Sequence, residues 1–514
     1  MVTVDPERVP VVIASGQSIE RQDLVTPVDL MVRACEAALA DVQSLRGSVD
    51  RLSVVSIMTP TGTAPASELA GRLGIEGARL ETTTIGGNTP QWLVSRAASA
   101  IAAGSLAVTI IAGAEALRSH RARRAAGLAK LAGDGGPPPD PVVGDRLPGS
   151  GPAESAIGLF LPVHIYPMFE SVIAARSGRS AAAHRQVIGE LFSPFTEVAA
   201  KNPYAWFQEA LSAEAIATPT MDNRLVSDPY TKRMTAFLGS DQGGAVVVCS
   251  LAAARRAGVA DRSVFVWSGA EATDVRFPTA RPDPGRSAAI RAAGTAVFEA
   301  AGVAGGNRPI GIDDIGLLDI YSCFPSAVEM ATEALGLSSD DGRRLTATGG
   351  LPYFGGPGNN YTTHGIAEVT SALRTAGDSA MAGRGSRLAM ATGLGWYVTK
   401  HAIGIYGSAP PPAGFRRADT SADQARIDDS AVEVVPEVDT ATEATIVAVT
   451  VIREPSGQPT GSPAIVSLPD GRHMAVSPAD DEVTAAMGGL DVADLVGTSV
   501  SVQPGAPRYR LAIS

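Results

Sequence analysis

The sequence is poor in cysteine and in aromatic residues. Its 514 residues include 3 cysteines, and phenylalanine, tryptophan and tyrosine together make up 5% of the chain. Cys35, Cys249 and Cys323 are far apart and odd in number, which excludes a disulfide framework and matches no zinc-site spacing. We therefore expect a reducing compartment, the cytoplasm, and no metal ion.

Positive charge and long hydrophobic runs are scarce as well. Lysine and arginine number 42 against 53 acidic residues, a net charge of −11, which argues against a nucleic-acid partner bound through its phosphates. The longest uncharged stretch, residues 97–114, is interrupted by polar residues and glycine, so we interpret it as helix, turn and strand rather than a membrane span. The first ten residues lack the apolar core of a secretory signal.

The chain is long and apolar enough to bury a large core, with 45% hydrophobic residues and a length typical of two to four domains. Up to residue 117, short β-rich apolar runs alternate with helical patterns. The runs are residues 11–14, 52–58, 80–85 and 107–112. This alternation predicts an α/β domain with a mostly parallel sheet covered by helices. A similar order resumes after Gly244, which indicates two related halves.

Two segments depart from this alternation. A basic stretch at 118–130, ending at Lys130, and a Gly/Pro-rich run at 133–152 open a region that reads as an insertion above the sheet. After Pro410, strand-like patterns, the hairpin signal Asp470-Gly471 and one helical pattern near 482–488 predict a separate small β domain. The predicted division is 1–117 with 237–258, then 118–236, 259–410 and 414–514.

Six short motifs appear in a characteristic order along residues 8–408. They are TTTIGGNTP at 82–90, AGAE at 112–115, SDQGGA at 240–245, YSCF at 321–324, GGP at 355–357 and GLG at 393–395. This series resembles the thiolase superfamily, most nearly its sterol-carrier-protein type and, among these, the mycobacterial type-1 thiolase-like proteins. The resemblance implies the thiolase fold: two similar βαβαβαββ halves in five αβαβα layers, a loop-domain insertion, and here an additional C-terminal, OB-like domain.

Thiolases carry out a reversible Claisen condensation of coenzyme A thioesters. That reaction needs a nucleophilic Cys, a His that activates it, an acid/base Cys and oxyanion holes. By the resemblance, the nucleophile position falls on Gly87, and the His of the Gly-His-Pro loop is replaced by Gly356. The thiol of the alternative Cys-x-Gly loop is missing at 391–393. In the YSCF motif, Cys323 matches the acid/base Cys and Tyr321 replaces an oxyanion-hole His.

The candidate catalytic residues are therefore Cys323, Tyr321 and His364, the last lying just after the Gly-Gly-Pro loop. The glycine-rich turn before a helix is a suitable place for a carbonyl oxygen or an anion. The candidate residues for binding coenzyme A or an acyl-CoA are Gly86, Gly87, Asn88, Gly355, Gly356, Pro357, Gly393 and Gly395, with Arg121 and Arg124 facing its phosphates. Each also has a structural interpretation, such as a tight turn, an inert core thiol or a solvated basic helix.

Three functions stay open on these residues. The first is a thiolase-like member of the acyltransferase superfamily in lipid metabolism that binds a CoA thioester but cannot run thiolase chemistry. The second is a carbon-carbon lyase on a CoA thioester that uses Tyr321 and Cys323. The third is a non-catalytic docking protein. Thiolases usually dimerise through the strand at 80–85, whereas type-1 thiolase-like proteins are thought to be monomeric, and we expect a monomer.

Overall fold

The computed structural model describes residues 5–128, 138–338, 341–375 and 387–511. Lys130 and the start of the Gly/Pro-rich run lie outside these residues. Among the described helices, none has both the length and the hydrophobicity needed to cross a membrane.

The first half of the chain alternates strands and helices as predicted. It comprises β1 (Pro10–Ile19), α1 (Pro27–Leu39), β2 (Arg51–Val54), α2 (Pro65–Leu73), β3 (Arg79–Thr83), α3 (Thr89–Ala102) and β4 (Val108–Ala116). The start of α1 illustrates the local chemistry. Thr26 and Asp29 form a reciprocal capping box and Pro27 occupies the first turn, so the helix begins where its free amide groups find partners.

The region between β4 and the next long strand is mainly helical. It contains α4 (Leu117–Ala125), β5 (Val142–Val143), α5 (Pro152–Ala156), α6 (Pro162–Arg176), α7 (Ala181–Ala199), α8 (Ala213–Ala217), β6 (Leu225–Ser227) and β7 (Tyr230–Thr231). The chain then returns to the sheet through β8 (Asp241–Ser250), all ten residues of which are buried, and continues into α9 (Leu251–Arg256).

The second half repeats much of the first. Its elements are β9 (Val264–Thr273), α10 (Ala288–Ala304), β10 (Ile315–Asp319), α11 (Pro325–Leu335), α12 (Tyr361–Thr375), β11 (Leu388–Gly395) and β12 (Lys400–Gly407). The strand order is β10-β11-β12-β9 followed by β1-β8-β4-β2-β3, and the two halves join where β1 pairs with β9. Helices α3 and α12 pack between the halves, while α1 and α10 cover the outer faces. The result is the expected αβαβα arrangement.

One strand of the expected pattern is replaced by a loop among the described residues of the second half. The Asp319 carboxylate accepts hydrogen bonds from the backbone amides of Ala347 (2.9 Å) and Thr348 (3.2 Å). Gly349 and Gly350 follow with φ values of 114° and 80°. A side chain thus satisfies amide groups that would otherwise join a sheet ladder, and the glycines allow the turn.

The chain ends in the predicted small β domain. Before it, β13 (Arg416–Arg417) pairs in parallel with β9 and belongs to the main sheet. The elements that follow are α13 (Ser421–Asp429), β14 (Thr442–Val449), β15 (Ile452–Arg453), β16 (Pro459–Gly461), β17 (Ala464–Ser467), β18 (His473–Pro478), α14 (Asp481–Met487), α15 (Val492–Leu495), β19 (Ser499–Val502) and β20 (Arg508–Leu511). Strands β14-β17-β18-β20-β19 form a closed barrel. The hairpin predicted at Asp470-Gly471 joins β17 to β18, and the predicted helix is α14.

Backbone hydrogen bonds and an ion pair connect the C-terminal domain to the insertion. The β15-β16 hairpin extends the β6-β7 pair into a four-stranded sheet, and the Asp228 amide donates to the Val451 carbonyl at 2.9 Å. The largely buried Arg453 guanidinium binds both oxygens of Asp228, at 2.8 and 2.6 Å. The division of the chain into four domains stays a prediction.

The outer edge of the first half is partly covered by the chain itself. Strand β5 pairs in parallel with β3, so that Thr82 lies opposite Val142 and Thr83 opposite Val143. The Thr84 amide donates to the Val143 carbonyl at 2.9 Å. The strand through which thiolases usually dimerise therefore already has an intramolecular neighbour.

Candidate functional site

The glycine-rich turn between β3 and α3 lies at the centre of the predicted site. The Gly86 amide donates to Asn359 Oδ1 at 2.9 Å, and the Gly86 carbonyl accepts from the Thr89 hydroxyl at 2.7 Å. The Gly87 carbonyl accepts from the Thr362 hydroxyl at 2.6 Å. Thr89 is the first residue of α3, and the turn is held by side chains from the second half of the chain.

Gly87 faces the Tyr321 side chain. A β-carbon placed on Gly87 would lie 2.3 Å from the Tyr321 hydroxyl oxygen and 2.5 Å from the Leu394 carbonyl oxygen. Both separations are far inside van der Waals contact. The position that the resemblance assigns to the nucleophile therefore has neither a side chain nor space for one.

The YSCF motif connects β10 to α11, and Tyr321 and Cys323 are both buried. The Tyr321 amide donates to the Thr392 hydroxyl at 2.8 Å, which fixes the motif against β11. Burial raises the pKa of the Cys323 thiol to about 12, and it raises the pKa of Tyr321 well above 10. At neutral pH both groups are protonated, so each can donate a proton but neither is a ready base or nucleophile.

The Gly-Gly-Pro loop packs closely against the insertion. The Gly356 amide donates to the Phe237 carbonyl at 2.8 Å, and a β-carbon on Gly356 would lie 3.1 Å from that oxygen. Gly355 has a φ of 111°, a conformation that favours glycine. Pro357 accepts from the Asn360 amide at 2.9 Å, which closes the turn that leads into α12.

His364 is fully buried in α12. Its Nδ1 lies 2.7 Å from Gln17 Oε1, and its ring packs against Phe354 with centroids 5.0 Å apart. Its Nε2 has no hydrogen-bond partner among the described residues. Burial lowers the pKa of His364 to about 3, so the ring is neutral at any ordinary pH.

Gly393 and Gly395 allow β11 to approach the turn. A β-carbon on Gly393 would lie 2.9 Å from the Asn88 Cα, and one on Gly395 would lie 2.5 Å from Asn88 Oδ1. Beside them, Tyr321, Gly393 and Leu394 line a cavity of about 10 Å³, the size of one water molecule. Three of the predicted segments, 86–88, 321–324 and 393–395, thus meet in this structure.

Arg121 and Arg124 lie on α4 with exposed side chains, whereas Gly86, Gly87 and Asn88 are buried. The nearby Arg118 has a structural role, because its Nε donates a hydrogen bond to Asp241 Oδ2 at 3.0 Å. The exposed arginines face solvent, and neither has an ion-pair partner within the described residues.

Sequence reasoning missed the polar residues that hold the turn. Asn359 Oδ1 accepts from the Gly86 amide, and Asn360 Nδ2 donates to the Gly113 carbonyl at 2.7 Å. Lys400 was also missed. This buried ammonium donates to the Ile85 carbonyl at 2.7 Å, and burial lowers its pKa. A lysine at the start of an apolar strand was the available signal.

Known structures agree with this architecture. A monomeric SCP2-thiolase like protein type 1 from Mycobacterium smegmatis matches with a TM-score of 0.82 and 29% identity, covering 99% of this chain and 100% of that one. The Ltp2-ChsH2(DUF35) aldolase matches with a TM-score of 0.57 and 20% identity, over 78% of this chain and 97% of that one. The chain is a thiolase-fold protein.

A third structure supports the fold of this thiolase-fold protein. Human mitochondrial 3-ketoacyl-CoA thiolase in complex with CoA matches with a TM-score of 0.53 and 15% identity, over 78% of this chain and 99% of that one. No protein-family model matches the sequence, and no curated protein matches it by sequence. The resemblance to thiolases and to the type-1 thiolase-like protein, expected from six motifs, is confirmed.

Proposed function

We propose that this thiolase-fold protein binds coenzyme A or an acyl-CoA without accepting the acyl group covalently, and that it performs no thiolase reaction. The contact between Gly87 and Tyr321 carries this proposal. Covalent acyl transfer requires a side-chain nucleophile at the turn. Here the β-carbon that would bear it collides with the Tyr321 hydroxyl.

The other candidate groups support the same conclusion. Cys323 is held as a neutral thiol because burial raises its pKa to about 12. His364 is engaged with Gln17 and stays neutral because burial lowers its pKa to about 3. A buried thiol and a weakly basic imidazole do not form an activated nucleophile-base pair.

Binding of coenzyme A is supported by the human thiolase of the same fold, which has been crystallised with CoA. In this chain, the exposed Arg121 and Arg124 would face its phosphates, since one guanidinium group can donate two parallel hydrogen bonds to phosphate oxygens.

A carbon-carbon lyase is the second candidate, and one observation favours it. The Tyr321 hydroxyl faces the turn and makes no hydrogen bond to any described residue, and an aldolase shares the fold. A retro-aldol cleavage removes a proton from the β-hydroxyl, breaks the Cα–Cβ bond and returns a proton to the α-carbon. Tyr321, which its raised pKa keeps protonated, would supply that last proton, and the resulting tyrosinate would take up the proton lost from the β-hydroxyl, so that no proton is gained or lost overall.

Two assays on purified protein separate these functions. We expect CoA to bind saturably in isothermal titration calorimetry, and the double variant Arg121→Met/Arg124→Met to weaken binding about tenfold, or about 1.4 kcal/mol. The matched control is Arg472→Met, an exposed arginine of the barrel. Failure of CoA and acetyl-CoA to bind would contradict the proposal.

The second assay follows acetoacetyl-CoA thiolysis and cleavage of β-hydroxyacyl-CoA. We expect no thiolysis. Thiolysis that survives Cys323→Ala would refute the proposal, whereas cleavage of the hydroxyacyl thioester that is lost in Tyr321→Phe, with CoA binding intact, would establish the lyase.

A further inference from the structure

A cavity of about 540 Å³ lies at the amino end of α10, and none of its lining residues belongs to the candidate site. Its walls come from the segment after β9, from the first turns of α10 and from α13, the helix that precedes the barrel. A volume of this size is in the range that holds a small organic ligand.

Arg281 is the unusual residue of this wall. It is 2% exposed, its Nε donates to the Val275 carbonyl at 3.0 Å, and its Nη2 donates to the Thr399 hydroxyl at 3.0 Å. Its Nη1 has no hydrogen-bond partner, and no carboxylate of the described residues lies within ion-pair distance. Its guanidinium packs over the Phe169 ring at 5.2 Å, and the carboxylates of Asp274 and Glu154 act on it only from beyond ion-pair distance. A buried guanidinium without an ion-pair partner is costly, which favours binding of an anion.

The other arginines of the cavity are already paired. Arg291 binds Glu333 at 2.9 Å, Arg286 lies 3.4 Å from the same carboxylate, and Arg426 pairs with Asp423. These side chains lie at the exposed rim. Arg281 is therefore the only arginine of this wall, within the described part of the chain, that has no carboxylate within ion-pair distance.

The acidic residues of the wall also have partners. Asp283 binds Arg176 at 2.6 Å. Asp274 accepts from the Ala289 amide at 3.1 Å and from the Ser287 hydroxyl, and it lies 3.4 Å from His401 Nε2. The Ala289 and Ile290 amides at the start of α10 are taken by Asp274 and Ser287, so the charge of an anion would be met mainly by Arg281.

The balance of charges limits the anion to one negative charge. Three carboxylates, Asp274, Asp283 and Asp423, line the same cavity and would repel a phosphate dianion. The remaining wall is largely apolar and includes Val275, Pro282, Ala288, Ala292 and Ile427. We propose that this cavity binds a monocarboxylate with an apolar body, and that Arg281 binds its carboxylate. The proposal is independent of the function proposed above.

The test is calorimetric titration of the full-length protein with butanoate, octanoate and benzoate. We expect saturable binding of at least one of them, at least tenfold weaker in Arg281→Met and partly retained in Arg281→Lys. Octanamide, which lacks the charge, should bind at least tenfold more weakly than octanoate. The matched control Arg308→Met, an exposed arginine that pairs with Asp314 and does not line the cavity, should change affinity less than twofold.

A second variant keeps the test independent of the folding of Arg281→Met. Ala292→Phe fills the cavity from the half-buried side of α10 and leaves Arg281 in place, so it should also weaken octanoate binding at least tenfold. Absence of binding by all three carboxylates, equal octanoate affinity in wild type and both variants, or competition by inorganic phosphate would overturn the proposal. Displacement of octanoate by CoA would do so too, because it would place octanoate in the candidate site.

Discussion

The Tyr321 hydroxyl occupies the space beside Gly87 where a side chain at the turn would project. A β-carbon there would be 2.3 Å from the hydroxyl oxygen. The absence of a thiol at position 87 and the placement of Tyr321 are therefore linked, because a cysteine side chain does not fit there while the tyrosine side chain stays in its position.

We expect Gly87→Cys to gain no thiolase activity and to lose stability. Overpacking a buried site typically costs about 1 to 3 kcal/mol, and Gly87→Ala should show this loss in urea unfolding. Gly47→Ala is the matched control, because a β-carbon there meets no atom within 4 Å. The double change Gly87→Ala/Tyr321→Ala should not recover fully, because the Leu394 carbonyl remains at 2.5 Å. An unchanged midpoint for Gly87→Ala would contradict the crowding.

We expect His364 to lower the free energy of unfolding as the pH falls. Its folded pKa of about 3 lies below the unfolded value near 6.5, so between these pH values only the unfolded chain takes up this proton. Stability should therefore rise with pH by about 1.4 kcal/mol per unit in this window. His364→Gln should remove that part of the slope, and Thr370→Val, a buried change on the same helix, should keep it. Equal slopes for wild type and His364→Gln would refute the prediction.

The buried cluster of Glu170, His184 and Glu329 should stabilise the contact between the insertion and α11. His184 Nε2 lies 2.5 Å from Glu170 Oε1, and the hydrogen bond to that carboxylate raises the pKa of His184 to about 10 despite burial. Removing one partner of a buried ion pair typically costs about 3 to 5 kcal/mol, which we expect for His184→Gln in urea unfolding at pH 7.

The pKa of His184 is higher in the folded protein than in the unfolded chain, and this determines how the free energy of unfolding changes with pH at this cluster. The contribution of His184 is complete below the unfolded pKa near 6.5 and is lost as pH rises through about 10. Burial raises the pKa of Glu329 to about 8, so Glu329→Gln, which mimics the protonated acid, should change stability little at pH 7. A large loss in that control would show that Glu329 is charged in the folded protein.

The Arg453–Asp228 pair should couple the barrel to the rest of the protein. Both groups are mostly buried, and the pair is bidentate. Arg453→Met should lower the free energy of unfolding by about 3 kcal/mol, because it leaves Asp228 uncompensated. The exposed Arg472→Met serves as control and should leave the midpoint unchanged. Wild type should unfold in one transition by calorimetry, and a separate barrel transition would argue against coupling.

The covered edge of β3 should keep the protein monomeric. An open edge strand pairs readily with another chain, and here the segment at 142–143 occupies that edge. Replacing residues 141–143 with Gly-Ser-Gly should increase the dimer fraction in light scattering after size-exclusion chromatography. A wild-type dimer, or a variant that stays monomeric at high concentration, would contradict this prediction.

Much of the architecture could be predicted because it depends on local pattern. Alternating apolar and helical runs predicted the sheet and its helices, Asp470-Gly471 predicted the β17-β18 hairpin, and six motifs in order predicted the thiolase fold. The loop that replaces a strand after Asp319 was not predicted. It depends on a carboxylate that reaches amides 28 and 29 residues away in the chain.

The sequence by itself determined that no thiol stands at residues 86–88 and that a cysteine, Cys323, stands in the YSCF motif. Only the tertiary structure decided that Tyr321 fills the space at Gly87, that His364 is turned to Gln17, and that Arg281 is buried without an ion-pair partner. Residue identity and periodicity are local properties of the chain. The space around an atom and the charge it meets depend on segments that approach it from elsewhere in the fold.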